Sequence, residues 1–432
     1  MNLHEISVIP AQSLPPAKAG AGIQMAVVKT GRWMRCLDSL SFPRSSRLRG
    51  NDRELRGNDE GKVRRQPAAV HAALALARHI VTAIFLLACS ALCTSASAQN
   101  SPQPQPASHS YILREDVMRF ADEVAERRGL DHEWTQRALA QARYLPGVTR
   151  LIMPPESSAA PDWRVYRARF VKPVRIRAGV RFWRRNRAAL ERAQRQFGVP
   201  PEIITGIAGV ETLYGQHMGS TRVLDALATL TFDFPPEHPR AAQRQAFFQS
   251  ELEQFLALCA RTGIDPAAPV GSYAGAMGMP QFMPSSWTRH AIDFDGDGRI
   301  DLWRSQADVI GSIANYLKAN GWQPGQATHY AVQLPPDADL GALLAPGIAP
   351  SFTPADMSAK GARLDAAGMA HPGPLALIEL QNGNPAQPGN APAYIAGAAN
   401  FYVITRYNQS SYYAMAVIEL GRAVAAALAQ RE

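Results

Sequence analysis

One carboxylate in an otherwise apolar stretch constrains this chain more than any other feature. Ile203-Ile204-Thr205-Gly206-Ile207-Ala208-Gly209-Val210-Glu211-Thr212-Leu213-Tyr214-Gly215 carries a single charged side chain, Glu211. Pro200 and Pro201 open the stretch; Pro201 suits a first helical position, and Gly215 can close the helix. On a helix, Glu211 follows Ile207 by one turn and Ile204 by two, so it projects from the apolar face. Desolvation there favours the protonated acid, and so does the negative end of the helix dipole. A carboxylic acid kept protonated near neutral pH is what a general acid for glycoside cleavage needs. The plainer alternative is a glutamate that snorkels, or that meets an arginine at a domain seam. The segment alone leaves both open.

The chain has 432 residues, room for two or three domains, and a formal charge of +9. That charge is concentrated at the start. Residues 1–98 hold 13 Lys+Arg and 6 Asp+Glu, whereas residues 99–432 hold 32 and 30. A near-neutral body gives no case for nucleic-acid binding. Lys62, Arg64 and Arg65 precede an apolar run that begins at Ile80, and Ala96-Ser97-Ala98 offers a small-residue cleavage site before Gln99. This order reads as a secretory signal, and the run is short for a membrane span. Leu86-Leu87-Ala88-Cys89 also resembles a bacterial lipoprotein box, which would leave Cys89 as a lipidated N-terminus; both processing routes stay open. Residues 1–61 contain a repeated Leu-Arg-Gly-Asn-Asp (Leu48–Asp52 and Leu55–Asp59) without an apolar stripe. They read as disordered, or as an over-extended reading frame. Beyond Ala98 the single cysteine, Cys259, lies among Phe255, Leu256 and Leu258 and reads as a small buried hydrophobe.

The body reads as mainly α. Residues 99–110 form a proline-rich linker. Helical patterns cover Arg114–Glu126, His132–Arg143, Ala178–Phe197, the Glu211 segment, Arg222–Thr231, Arg244–Cys259, Ala307–Asn320 and Ser410–Ala427. His329–Leu334, Leu375–Gln381 and Phe401–Thr405 read as strands. A small β-rich insertion therefore falls within 325–400. No sustained strand–helix alternation exists, which argues against a parallel α/β fold.

Two further motifs carry chemistry. Asp293-Phe294-Asp295-Gly296-Asp297-Gly298-Arg299-Ile300-Asp301 places acids at positions one, three, five and nine, and Gly298 at six, as at the start of an EF-hand calcium loop. Arg299 would offer its carbonyl at position seven. Arg304 stands where the closing glutamate is expected, so an elongated loop over 293–308 would be closed by Asp308. An acidic turn without metal is the alternative, although spaced aspartates repel one another when no cation is present. The second motif, Gly271–Trp287, is rich in glycine and methionine. Glycines let backbone approach a ligand closely, and Ser272 and Gln281 could hydrogen-bond sugar hydroxyls.

Together these motifs resemble the lytic transglycosylase B family, bacterial enzymes that cleave peptidoglycan glycan strands. The resemblance rests on Gly209-Val210-Glu211-Thr212, Ala274–Gly278 with Gln281–Ser285, the Asp293 loop ending in Leu302-Trp303, and Thr405-Arg406-Tyr407-Asn408. It implies a mainly α (α+β) protein: a lysozyme-like catalytic core with an EF-hand-like loop, an additional helical domain, and a small β-rich domain. Residues 111–324 would hold the helical domain and core. Residues 401–432, a strand and a helix, would complete the groove and the helical domain. The resemblance makes Glu211 a single catalytic acid/base and places Tyr166, Ser272, Gln281, Tyr407, Asn408 and Tyr413 at the glycan. It implies structural Ca2+ held by Asp293, Asp295, Asp297, Arg299 and Asp308, and no organic cofactor. Non-hydrolytic cleavage between N-acetylmuramic acid and N-acetylglucosamine, giving 1,6-anhydromuramoyl ends, would follow. A lysozyme-type hydrolase and a non-catalytic glycan-binding protein are the alternatives. Expected partners are peptidoglycan strands, with other cell-wall enzymes left open, for a monomer in the periplasm of a Gram-negative bacterium. Cys89 lipidation would tether it to the outer membrane. One departure stands out: the family's paired arginines and tyrosine appear here as Arg244-Gln245-Ala246-Phe247-Phe248, behind an insertion.

Overall fold

The computed structural model describes residues 110–154 and 160–430. The signal-like segment, Cys89, the pentapeptide repeat and most of the linker lie outside the described residues. A 3-10 turn at Tyr111–Leu113 leads into α1 (Glu115–Arg128), α2 (His132–Ala140), α3 (Pro146–Ile152), α4 (Trp163–Phe170), α5 (Pro173–Arg185), α6 (Arg187–Phe197) and α7 (Pro201–Thr212). The two-residue β1 (Thr221–Arg222) precedes α8 (Val223–Phe232) and α9 (Ala241–Thr262), and β2 (Val270–Gly271) pairs antiparallel with β1. Then come α10 (Pro284–His290) and α11 (Gln306–Ala319). The β-rich part holds β3 (His329–Gln333), α12 (Leu340–Leu344), α13 (Pro354–Ala359), β4 (Arg363–Leu364), α14 (Ala366–Met369), β5 (Ala376–Leu380) and β6 (Ala393–Gly397). Two helices finish the chain: α15 (Ala399–Tyr407) and α16 (Ser411–Ala429).

The architecture is mainly α with one four-stranded antiparallel sheet of order β4-β3-β6-β5. The sheet has its own small core of Leu343, Met357, Ala362, Leu375, Leu377, Ala396 and Ala398. Everything else shares one large core centred on α7, whose residues Ile203 to Val210 are all buried. α16 crosses α7 more closely than ordinary side chains allow. A Cβ on Gly206 would come within 2.2 Å of the Val417 carbonyl oxygen, and one on Gly421 within 2.1 Å of that of Glu202. Glycine at these two crossing points is thus required by backbone approach. α16 is long and apolar enough to span a membrane by composition, but most of it is buried against α7.

Three local expectations are corrected. Phe401–Thr405 is helical, not a strand. Its β-branched and aromatic residues bury Phe401, Val403, Ile404 and Thr405 on the shared core, and tertiary packing overrides their β preference. Asn400 fixes the start of this helix by donating to the Gln323 and Gln326 carbonyls and accepting from Gln323 N–H. Ala178–Phe197 is not one helix. It breaks at Asn186, whose side-chain amide donates to the Phe182 carbonyl at 2.8 Å and to Gln306 at 2.6 Å, diverting the backbone from its helical pattern. Finally, α7 is closed before Gly215. Leu213 and Tyr214 already adopt φ of 52° and 57°.

Candidate active site

Glu211 sits on the last turn of α7, next to the left-handed pair Leu213 and Tyr214. Left-handed backbone at two successive non-glycine residues costs about 1–3 kcal/mol each and persists only where packing dictates it. The packing here is specific. Tyr214 stacks on Phe182 of α5, with ring centroids 5.2 Å apart. Its hydroxyl end fills the space that Cβ atoms on Gly179 and Gly209 would take, at 2.4 and 2.5 Å. The buried Arg175 donates to the Gly209 carbonyl and lies over the Phe170 ring. Thr212 Oγ1 accepts from Gly215 N–H and donates to the Met279 carbonyl at 2.9 Å, fastening the Gly/Met-rich loop beside the helix end.

The Glu211 side chain is half-buried, and Tyr413 donates its hydroxyl to one carboxylate oxygen at 2.6 Å. Desolvation raises the carboxyl to about 7, against the lowering effect of the Tyr413 hydrogen bond. The dominance of desolvation is the effect anticipated from the apolar face. Tyr407 and Tyr413 stack nearly parallel, 15° apart, and burial together with the Glu211 charge pushes both phenols well above their ordinary range. Tyr407 donates to the Pro280 carbonyl at 2.7 Å, which ties α15 to the same loop. Tyr166 is buried on α4. Its hydroxyl has no hydrogen-bond partner among the described residues, and it feels the Glu211 charge. The structure thus gathers Tyr166, Tyr407 and Tyr413 around Glu211 from both ends of the chain.

The remaining expected residues lie on the flanking loop. Gln281 holds φ of 53° and donates its amide to the Gly278 and Met218 carbonyls, and its Oε1 has no donor among the described residues. Ser272 Oγ accepts from the Ala274 and Ala276 N–H groups, so it braces the loop turn. Asn408 caps α15 with an extended backbone, and its side chain makes no hydrogen bond among the described residues. Sequence reading missed Arg175, Tyr214 and Tyr316. The last packs its ring 4.8 Å from Tyr407 and donates to the Arg406 carbonyl. The spacing of an apolar helix gives no sign of a buried arginine or of a ring filling a glycine gap.

Among the described residues no second carboxylate perturbs Glu211. Asp225 accepts from Arg143 N–H at 3.0 Å and pairs with Arg222. Asp233 is bound by Arg114 and by the Tyr111 hydroxyl at 2.6 Å. Glu251 is buried under Ser285, accepting from both its N–H and its hydroxyl. All three are structural. Cys259 is buried as expected, and burial pushes its thiol up to about 12. In the departing segment, Arg244 lies over the Phe248 ring at 5.1 Å and Phe247 stays exposed.

The second acidic site has a different character. Asp293, Asp295 and Asp297 each bring one carboxylate oxygen within 4.8 Å of the others. Gly296 and Gly298, at φ of 81° and 87°, turn the loop so that their N–H groups donate to Asp293. An all-oxygen set of this kind suits a hard cation. Asp308 does not join the three. It is buried, one oxygen accepting from Phe294 N–H at 2.7 Å and the other from Asp301 N–H at 2.8 Å, because the loop's backbone donors need an internal acceptor.

A family model described as the transglycosylase SLT domain matches residues 113–422. Membrane-bound lytic murein transglycosylase B of Escherichia coli is 42% identical over 325 residues, 73% of this chain and 84% of that protein. The structure of Escherichia coli lytic transglycosylase Slt35 in complex with bulgecin A matches with a TM-score of 0.63 at 38% identity, covering 76% of this chain and 99% of that one. The same transglycosylase in complex with calcium matches with the same TM-score, identity and coverage. The mainly α, lysozyme-like fold expected from sequence is the fold of these structures.

Proposed function

The chain belongs to the transglycosylase SLT domain family, and on that premise we propose how its own residues cleave peptidoglycan. It is a lytic murein transglycosylase, an enzyme of peptidoglycan turnover. Glu211 is the single acid/base. Protonated near neutral pH, it gives its proton to the glycosidic oxygen between N-acetylmuramic acid and N-acetylglucosamine. The resulting carboxylate then takes the proton of the muramoyl C6 hydroxyl as that oxygen attacks its own anomeric carbon. The bond to the leaving sugar breaks, a 1,6-anhydro ring forms, and no water is consumed. The observation that carries this reading is a desolvated carboxyl bonded to Tyr413 with no partner acid. Most glycosidases that use external water or a protein nucleophile have two flanking carboxylates.

The tyrosines support both halves of the cycle. Tyr413 stabilises the transient carboxylate through its 2.6 Å hydrogen bond. Tyr166 backs the site, its buried hydroxyl without a hydrogen-bond partner among the described residues. Gln281 offers its free Oε1, and Asn408 its whole amide, to acetamido or hydroxyl groups, while Ser272 shapes the turn that presents them. The glycan strand is the partner this arrangement fits. Export to the periplasm is the placement that the leader and the membrane-bound relative support, by cleavage after Ala98 or with Cys89 as a lipid anchor.

Calcium, where bound, braces the Asp293 loop and takes no part in the chemistry. Asp293, Asp295, Asp297 and the Arg299 carbonyl would hold it, and Asp308 supports the loop backbone from inside. The fit rests on three converging carboxylates that otherwise repel one another.

The test is digestion of peptidoglycan sacculi by the full chain, followed by mass spectrometry of the soluble products. Muropeptides ending in anhydromuramic acid, one water lighter than hydrolysis products, are expected. Reducing muramic ends would overturn the intramolecular mechanism in favour of a lysozyme-type hydrolase. Binding without release would favour the non-catalytic alternative.

A further inference from the structure

Charge in the body is polarised along the chain. Residues 163–197 hold 12 Lys+Arg and one acid, Glu191, whereas the rest of residues 99–432 hold 20 and 29. The excess centres on α5, which has five arginines and no acid. One of the five, Arg175, is buried under the Glu211 helix; the other four are exposed. Gly179 marks the inner face of α5, because its missing Cβ leaves space for the Tyr214 hydroxyl. At about 100° per residue, Val174, Arg177, Arg181 and Arg184 fall within about 40° of the direction opposite Gly179. They form one outward stripe, with Val174 51% exposed at its start.

This stripe is not neutralised from within. Arg114, Arg127, Arg128, Arg137, Arg164 and Arg167 each have a carboxylate partner. Arg177, Arg181, Arg184 and Arg185 have none among the described residues. The three unpaired guanidinium groups of the stripe, with Arg185 beside them, repel one another, and they are relieved by an external polyanion with closely spaced charges. Guanidinium forks suit phosphate geometry in particular. An exposed valine beside them suits a partner with apolar matter beneath its charges. A glycan strand with acidic stems fits less well. Seated at Glu211 it would lie on the α7 side of α5, away from the stripe.

We propose that the outer face of α5 docks on anionic phospholipid headgroups, holding the enzyme flat on a membrane with the Glu211 end of α7 turned from the lipid. Electrostatic docking of this kind needs several basic residues near the surface and weakens as salt rises.

The experiment is flotation of the full chain with vesicles. One set contains phosphatidylglycerol in phosphatidylcholine and the other phosphatidylcholine alone, each at low and high salt. The leader's apolar run and its basic residues are the same in the wild type and in variants of the stripe, so the comparison between them isolates the stripe. The wild type is expected to bind the anionic vesicles at least about tenfold more tightly at low salt and to lose that advantage at high salt. Arg177→Gln/Arg181→Gln/Arg184→Gln should remove the advantage, and Arg177→Lys/Arg181→Lys/Arg184→Lys should keep most of it. Both variants should digest isolated sacculi at the wild-type rate, which shows that they fold. Equal anionic preference in the wild type and the glutamine variant would overturn the proposal. So would an undiminished lipid preference accompanied by lost binding to sacculi, which would assign the stripe to peptidoglycan stems.

Discussion

Two acidic regions of the same core meet opposite fates. At the end of α7 one carboxyl stands alone among apolar side chains and tyrosines, and burial pushes it up to about 7. In the Asp293 loop three carboxylates crowd together in the open. There Asp295 is held below its ordinary value, chiefly by the Ser305 hydroxyl that donates to it at 2.6 Å. The Ser305 hydroxyl favours the charged form of Asp295, whereas desolvation favours the protonated form of Glu211. The first region can move a proton near neutral pH, and the second can only collect a cation. Proximity of acids is thus a poor guide to catalysis, and isolation from water a better one.

The largest effect that would break this contrast is on turnover. Glu211→Gln should cut muropeptide release by at least about 10²–10⁴-fold while leaving the circular dichroism spectrum unchanged. Retained activity within a few-fold would remove Glu211 from the mechanism. The loop is tested next, and through stability instead of rate. With calcium at about 100 times its dissociation constant, chelation should remove about 2.7 kcal/mol, read as a lower Tm. The same melt with and without chelator would show that the three aspartates bind nothing that matters.

A smaller effect probes the clamp beneath Glu211. Gly209→Ala places a methyl 2.5 Å from the Tyr214 hydroxyl and 2.7 Å from Leu420. It should destabilise by about 1–3 kcal/mol in urea unfolding, through overpacking. Indifference to the methyl would mean that the left-handed pair is not held by that contact. The pH dependence gives two finer tests. The Tyr413 hydrogen bond lowers the Glu211 carboxyl, so Tyr413→Phe should move the alkaline limb of the activity profile upward from about 7. An unmoved limb would separate that limb from Glu211. On stability the sign is reversed from that of a salt-bridged acid. The folded carboxyl binds its proton more tightly than the unfolded one, whose value is 4.5. Its contribution is intact below 4.5 and is lost as the pH rises through about 7. Glu211→Gln should therefore raise Tm by a few degrees at pH 8 and change it little at pH 4. A mutant equally stable at both would indicate an unperturbed carboxyl.

What was legible in the sequence was local. Periodicity located α7, α9, α11 and α16 to within a few residues and put Glu211 on an apolar face. The one-three-five spacing of aspartates, with glycines between them, foretold that their oxygens converge, because a turn of that size needs only neighbours. The misreadings were also local in origin. Phe401-Tyr402-Val403-Ile404-Thr405 has strand composition, yet its surroundings bury it as a helix. Asn186 broke a helix because Gln306, far along the chain, receives its amide.

What the sequence by itself determined is the character of Glu211: a lone acid on a helix with no wet side to turn to. Periodicity could not supply the company it keeps: the resemblance pointed to Tyr407 and Tyr413, and the tertiary structure decided how they reach it. Tyr413 lies 202 residues away in the chain and reaches the carboxylate only because Gly206 and Gly421 let α16 lie against α7. Asp308 was turned inward by loop N–H groups that only the folded loop presents to it. Short-range pattern is written in composition and period, whereas a hydrogen bond between distant segments exists only once packing has brought them within about 3 Å.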